Sequence, residues 1–211
     1  MDTNAGIEHR LELLMGKFGW TPERVSGFRL GLADQRAGRD KDVSRLLDRD
    51  GDASFDDAEC PPAERVCLGY LDGWNAGLIL DRDVTDYSDE LTMMQEVKAW
   101  SGNRDKDFDI DAATWAHSAA SPIEPFLSIM SREAWVDWLV EEDRAAKEEG
   151  RYGYADLIVQ EIRDAIVYVT YEDGKIDVWD GWHRIAATIA KGETHLPTIQ
   201  GVPAPEPAPS P

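Results

Sequence analysis

The residues best suited to chemistry lie close together near the C-terminus: Asp180, Gly181, His183 and Arg184. A β-rich run ends just before them and a helical period begins just after them, so they occupy a strand-to-helix turn. The unpaired backbone N–H groups at the start of a helix carry partial positive charge and attract anions. Gly181 lets an anion approach the backbone, Arg184 offers a forked cation, and His183 adds a hydrogen-bond donor or proton carrier. The turn therefore predicts a phosphate-binding site made by Gly181, His183 and Arg184.

Three roles suit Asp180: capping the helix, holding a metal ion, or acting as a base. Asp180 and His183 are accordingly the candidates for proton transfer. A purely structural interpretation makes Asp180 an N-cap, Gly181 a tight turn, and His183 and Arg184 a solvated first turn. A basic residue at the positive end of a helix is unfavourable unless an anion meets it. This consideration favours the anion-binding interpretation over the structural one.

The elements that position the turn are predicted by their own signals. Two β-rich runs precede it, residues 167–171 and 176–179, and the Asp-Gly pair between them is a strong hairpin signal. After the turn, apolar residues recur at helical spacing until Gly192. Residues 195–199 then predict a returning strand. The expected order is hairpin, turn, helix and strand.

The run Val178 to Ala187, followed by a glycine stop and a strand beginning near Leu196, resembles the phosphate-binding core of the ParB and sulfiredoxin superfamily. Residues 157–163 are similar to the short helix that leads into that core. The resemblance spans residues 154–202. It implies a small mixed α/β domain that binds nucleotide phosphates, used in different members for nucleotide hydrolysis, phosphoryl transfer or nuclease activity.

By motif position, the resemblance implies that Gly181, His183 and Arg184 contact phosphate and that Asp180 is the adjoining acid. The cofactor it implies is a nucleoside triphosphate with Mg²⁺. Sulfiredoxins have a cysteine where this chain has Trp182, so the nucleophile of reductase chemistry is missing. Partition-type ParB proteins have glutamate and arginine at the positions of Trp182 and His183 and continue into a helical DNA-binding domain. This chain continues into a proline-rich tail, so chromosome partitioning is not expected.

Two glycine-rich helices are predicted in the N-terminal half. Residues 21–23 supply an N-cap threonine, a first-turn proline and a first-turn acid for a helix that continues to about Ala37. A second helix is predicted over residues 68–78. Glycine in a helix interior costs about 1 kcal/mol relative to alanine, so a regular spacing of glycines needs a reason. Close backbone packing of the two helices is the simplest reason, and it involves Gly27, Gly31, Gly69, Gly73 and Gly77.

The predicted fold class is α+β, with four parts along the chain. We expect a helical domain over residues 1–100, a charged linker over 101–112, the ParB/sulfiredoxin-like domain over 113–202 and a disordered proline-rich tail over 203–211. Within the third part, residues 131–149 predict a helix with Trp135, Trp138 and Leu139 at helical spacing.

An acidic loop between the glycine-rich helices leaves two interpretations open. From Asp48 to Glu59 the acids fall at positions 1, 3, 5, 9 and 12 of a calcium loop of the EF-hand type. The sixth position is Ala53 rather than glycine, and Pro61-Pro62 interrupt the expected exit helix. A solvated acidic loop is therefore favoured over a calcium site. The two cysteines, Cys60 and Cys67, lack the paired spacing of a zinc site, so no metal site is expected there.

The charge balance restricts the partners. The 211 residues include 42 acidic and 22 basic ones, a net charge of −20, which is the opposite of what binding to nucleic-acid phosphates needs. We expect no direct nucleic-acid binding, whereas a basic or nucleic-acid-binding protein is a suitable partner. No apolar run approaches the length of a membrane span, which is about 20 residues. The cytoplasm is the expected location.

Two functions follow, from different classes. The leading one is a ParB-like nucleotide- or phosphate-binding protein of a plasmid or phage, with weak NTPase or nuclease activity as a further option; the mobile-element origin is implied by the resemblance. The other is an acidic DNA-mimic inhibitor of a host defence system, such as an anti-CRISPR or anti-restriction protein, without enzymatic activity. A mimic needs acids in a stripe and tolerates loss of Arg184. An enzyme needs an open cleft at Gly181.

Overall fold

Three helices precede all of the strands in the described residues, and three further helices lie among the strands of the second half. The computed structural model describes residues 4–43, 62–80, 108–159, 162 and 164–203. Among these residues the α-helices are α1 (Asn4–Lys17), α2 (Pro22–Arg36), α3 (Pro62–Leu80), α4 (Arg132–Glu148), α5 (Asp156–Val159) and α6 (Trp182–Ala190). The strands are β1 (Thr114–Pro122), β2 (Ile166–Thr170), β3 (Ile176–Asp180) and β4 (His195–Val202), and a 3-10 helix covers Glu124–Ser128. The predicted α+β class is confirmed.

The helix ends follow local capping chemistry. The hydroxyl of Thr21 accepts a hydrogen bond from the backbone N–H of Arg24 at 3.3 Å, and α2 ends just before Gly38, whose φ of +65° suits a glycine. Helix α3 starts at Pro62, earlier than the predicted start at Leu68. Proline fits the first position of a helix because that position needs no N–H donor. Pro62 therefore opens α3. The expectation that Pro61 and Pro62 interrupt the exit helix of a calcium loop concerns a segment that lies mostly outside the described residues.

The glycines of α2 and α3 allow the two helices to touch backbone to backbone. A Cβ atom on Gly31 would overlap the carbonyl oxygen of Tyr70, and one on Gly27 would overlap a carbonyl oxygen one turn earlier in α3. The relation is reciprocal, because a Cβ on Gly69 or Gly73 would overlap carbonyl oxygens of α2. The predicted packing of the two glycine-rich helices is confirmed for these four positions. No helix in the described part of the chain is long and apolar enough to span a bilayer.

The four strands form one mixed sheet in the order β1-β4-β2-β3. Strands β2 and β3 are the predicted antiparallel hairpin, with Tyr168 opposite Val178. After α6 the chain returns as β4, which runs parallel to β2 and antiparallel to β1. The hairpin, the helix and the returning strand were predicted from the sequence, but β1 was not. The turn that follows β3 thus lies at one edge of the sheet.

The alternating side chains of β2 divide the core into two clusters. Ile166 and Tyr168 join buried residues of α1, α2, α4 and α6 on one face of the sheet. Val167 and Val169 pack on the other face, where Phe108 lies 5.5 Å from Trp179, centroid to centroid. Phe108 belongs to the stretch predicted as a linker, most of which lies outside the described residues. The predicted domain boundaries remain predictions.

Two other predicted segments lie outside the described residues. These are the acidic loop from Asp48 to Glu59, with its calcium and solvated-loop interpretations, and the proline-rich tail apart from Pro203. Cys60 lies outside as well. Cys67 is described and is buried in α3.

Candidate functional site

The turn after β3 depends on a glycine for two reasons. Gly181 is the N-cap of α6 and has a φ of +97°, a left-handed conformation that residues with a side chain rarely adopt. A Cβ atom at this position would also lie 2.8 Å from the Cβ of Ile166 in β2. The glycine is thus required by the backbone conformation and by packing on the sheet. Space for a ligand on that side of Gly181 is taken by Ile166.

Helix α6 receives no hydrogen bond from a capping side chain. The N-cap is Gly181, so the structural interpretation of Asp180 as the cap was wrong. The N–H groups of the first turn of a helix have no partner within the helix itself. The positive end of α6 therefore has its own donors free of side-chain caps, which is the arrangement that attracts an anion.

Asp180 forms an ion pair with Arg184 instead of capping the helix. Nη2 of Arg184 donates to Oδ2 of Asp180, and the side chains are 19% and 24% exposed, respectively. Asp180 is the last residue of β3, one position before the N-cap of α6, and the long side chain of Arg184 leans back toward that end of the helix. The carboxylate offsets the unfavourable placing of a cation at the positive helix end. The pair thus accounts for a cation at the start of α6 without a bound anion. It also holds the guanidinium of Arg184 beside the uncapped first turn.

The ring of His183 lies between two aromatic rings. It stacks on Tyr154 at a centroid distance of 3.7 Å with an 11° angle between planes, and on Trp138 of α4 at 5.0 Å and 29°. Its Nε2 lies 3.6 Å from Oε2 of Glu142 and makes no hydrogen bond. The structure therefore brings Asp180 and Arg184 together as a pair and turns the His183 ring toward α4.

Buried Asp143 holds the loop that positions Tyr154. Its Oδ1 accepts hydrogen bonds from the backbone N–H groups of Tyr154 at 2.6 Å and of Ala155 at 2.9 Å. Lys147, one turn later in α4, forms an ion pair with the same carboxylate at 2.9 Å. Asp143 and Tyr154 were not predicted from the sequence. The signal for Asp143 was an aspartate four residues after Leu139, at a spacing that continues the apolar stripe of the helix.

The pKa of His183 is lowered from its usual value of 6.5, mainly because burial disfavours the charged imidazolium, although Glu142 opposes this effect. The nearby Arg151 guanidinium also lowers this pKa, and the Asp180 carboxylate raises it. At neutral pH the ring is uncharged. His183 therefore serves the turn as an aromatic side chain and a weak base rather than as a cation.

His183→Phe is expected to weaken the dependence of stability on acid. Since the pKa of His183 is lower in the folded state, the unfolded state binds the proton more readily. The contribution of His183 is complete above about pH 6.5 and is lost as the pH falls through the unfolded pKa toward the folded one. Urea unfolding between neutral pH and pH 5 should thus show a steeper loss of stability in wild type than in the variant. His9 is exposed, so His9→Phe is the control. If it changes this slope as much as His183→Phe does, the loss of stability in acid does not come from His183.

Asp180 is the one carboxylate that residues 180–184 offer to a metal ion. Within the described ranges, no three His, Cys, Asp or Glu side chains form a group that could hold a metal ion. Asp180 is the acidic side chain of the turn, and Mg²⁺ commonly takes one or two carboxylates together with phosphate oxygens and water. Asp180 is already paired with Arg184, so a magnesium ion that accompanied a nucleotide would take its ligands mainly from phosphate and water.

Comparison of the chain with protein-family models, with curated proteins and with solved structures returned no match. The resemblance to the ParB and sulfiredoxin superfamily consequently rests on the residues of the turn and its neighbours.

Proposed function

We propose that this protein binds a nucleotide through its phosphates at the turn formed by residues 180–184. The observation that carries the proposal is the start of α6, which lacks a side-chain cap and has the guanidinium of Arg184 fixed beside it. The backbone donors at the start of α6 and the guanidinium of Arg184, which is paired with Asp180, thus meet at one partly buried place in a chain of net charge −20. The succession of strand end, turn, helix, glycine stop and strand is also the one on which the resemblance rests.

Both backbone N–H groups and the Arg184 side chain would bind the phosphate. An anion at the turn accepts hydrogen bonds from the first-turn N–H groups of α6, as phosphates do at other helix N-termini. The bond to Asp180 occupies Nη2 of Arg184, and a guanidinium has five N–H donors in a planar fork. The other donors can serve a phosphate while Asp180 keeps the group in place. Asp180 acts here as a positioning residue.

Catalysis is a secondary part of the proposal. Hydrolysis of the nucleotide needs a group that accepts a proton from water, and Asp180 and His183 are the candidates that belong to the turn. The lowered pKa of His183 leaves its ring neutral and able to accept a proton at neutral pH. Its stacked position makes binding the principal function and weak NTPase or nuclease activity an addition. We further propose a cytoplasmic location and a plasmid or phage origin, the origin resting on the resemblance.

The experiment for this proposal is an NMR titration of ¹⁵N-labelled protein with CTP, ATP and GTP in the presence of Mg²⁺. We expect the amide signals of Gly181, Trp182 and His183 to shift progressively with at least one nucleotide, since their N–H groups lie at the phosphate. The amide of Gly174, in the turn of the β2–β3 hairpin, is the internal control. Shifts confined to other parts of the chain would place the nucleotide elsewhere and refute the proposed site.

A second candidate function, the acidic DNA mimic, is favoured by the exposed side of α4. Glu133, Asp137 and Glu141 are exposed and follow one another at intervals of four residues, a rise of about 6 Å per step. A row of carboxylates at that spacing imitates a phosphate backbone. Two of them already hold basic residues, because Asp137 pairs with Lys17 and Glu141 with Arg144. Salt-sensitive binding to a basic DNA-binding protein, with no nucleotide-induced shifts at the turn, would select this function.

A further inference from the structure

Tyr152 differs from the other large apolar side chains of the described residues because its ring is 73% exposed. The other exposed ones in this part of the chain are Leu30 at 46% and Met15 at 39%. Aromatic side chains carry a large apolar area and gain much from being covered. A single exposed ring is ordinary by itself, so its surroundings decide what it can do.

The neighbours of Tyr152 in the chain border the turn of residues 180–184. Two residues later, the ring of Tyr154 stacks on His183, in the first turn of α6, at a centroid distance of 3.7 Å. One residue earlier, Arg151 donates hydrogen bonds to Glu149 and to Tyr154, which raise its pKa. Burial, and with it the guanidinium of Arg151, lowers the pKa of His183, so this guanidinium lies near that ring. Since consecutive Cα atoms are about 3.8 Å apart, Tyr152 lies within about 8 Å of Tyr154, Cα to Cα.

The loop that carries Tyr152 is held against α4 on both sides of this residue. On one side, the backbone N–H of Arg151 donates to the carbonyl oxygen of Ala146 at 2.8 Å. On the other side, a Cβ atom on Gly153 would overlap the carboxylate of Asp143, so the backbone lies directly on that side chain. A ring on a loop held in this way loses little conformational freedom when a ligand stacks on it.

We propose that Tyr152 stacks on the base of the nucleotide whose phosphates lie at the turn, and that the site therefore prefers purine nucleotides. This rests on the proposed function, because bound phosphates fix where the base lies. An aromatic side chain accepts any base, since every base has a π face. A purine has two fused rings and covers more of the phenol ring than a pyrimidine does. Stacking reads no base edge, so ATP and GTP should bind alike.

The test is calorimetric titration of the full chain with ATP, CTP and inorganic tripolyphosphate, each with Mg²⁺. Tripolyphosphate carries phosphates without a base and therefore reports on the turn alone. Tyr152→Ala removes the ring, whereas Tyr152→Phe keeps the ring and is the matched control. Since Tyr152 is exposed, both variants should keep the wild-type fold, which circular dichroism checks.

We expect Tyr152→Ala to bind ATP about 10-fold more weakly than wild type, the effect of losing one stacked base, and Tyr152→Phe to bind it as wild type does. Wild type should bind ATP more tightly than CTP, and Tyr152→Ala should lose most of this preference. Tripolyphosphate should bind all three proteins with equal affinity, because it makes no contact with the ring.

Three results would overturn the role of Tyr152 while leaving the phosphate site in place. These are equal affinity of wild type and Tyr152→Ala for ATP, an equal loss of affinity for ATP and tripolyphosphate in Tyr152→Ala, or tighter binding of CTP than of ATP by wild type. If wild type bound neither ATP nor tripolyphosphate, the phosphate site itself would be refuted, and the stacking role with it. Titration of wild type with tripolyphosphate therefore separates the two failures.

Discussion

Gly31→Ala is expected to destabilise the protein by about 2–4 kcal/mol, because the added methyl group meets backbone rather than a movable side chain. The obstacle is the carbonyl oxygen of Tyr70, which is fixed within α3. Relief requires α2 and α3 to separate along their contact. The loss exceeds the gain of about 1 kcal/mol that alanine brings in helix propensity. Urea unfolding monitored by circular dichroism measures the change in the free energy of unfolding.

Gly16→Ala is the matched control, since Gly16 also lies in a helix and a Cβ there would meet no heavy atom within 4 Å. The same chemical change should therefore stabilise the protein by up to about 1 kcal/mol. Opposite signs for the two variants would establish backbone contact as the reason for the glycine spacing. If Gly31→Ala is neutral or stabilising, α2 and α3 do not pack as described.

The parts of the fold that were predictable depend on interactions within a few residues. Thr21 and Ser131 cap α2 and α4 through backbone N–H groups three residues ahead, and such caps are visible as residue types at fixed offsets. The Asp-Gly pair indicated the hairpin of β2 and β3 in the same way. The glycine spacing also predicted a contact between two helices distant in sequence. Each glycine lowers helix propensity, and close packing of the two backbones offsets that cost.

Strand β1 could not be predicted because its sequence lacks the signals of a strand. Residues 114–122 are mainly small and polar, and the polar and apolar side chains do not alternate. The strand forms because β4 offers hydrogen-bonding partners along its length. Pairing between segments so far apart in the chain is a tertiary effect, which overrides weak local preference.

The sequence predicted which residues lie at the candidate turn, but only part of how their side chains are arranged. The ion pair between Asp180, the last residue of β3, and Arg184, in the first turn of α6, was not predicted, although both residues were named as site residues. The place of His183 was not predicted either, because its neighbours come from α4 and from the loop that Asp143 holds. The role of Ile166 in excluding a side chain at Gly181 likewise depends on the sheet. These contacts join residues distant in sequence.

Arg184→Ala is expected to weaken nucleotide binding by about 10- to 100-fold, the effect of losing a charge-assisted contact to phosphate. The variant removes the cation and also leaves Asp180 as an uncompensated negative charge at the turn. Both changes oppose an anion. The ion pair is only 19% and 24% exposed, so circular dichroism of Arg184→Ala has to show the wild-type fold before the affinities are compared. Isothermal titration calorimetry measures the change in affinity.

Arg144→Ala is the control for that experiment, because Arg144 is an exposed arginine of α4 paired with Glu141, and its loss changes the net charge by the same amount. The most direct test of the phosphate site is therefore calorimetric titration of wild type, Arg144→Ala and Arg184→Ala with CTP, ATP and GTP plus Mg²⁺. We predict that wild type and Arg144→Ala bind at least one nucleotide with equal affinity and that Arg184→Ala binds it at least about 10-fold more weakly. Equal affinity in Arg184→Ala, or no binding by wild type, would contradict the proposal that the turn of residues 180–184 holds nucleotide phosphates.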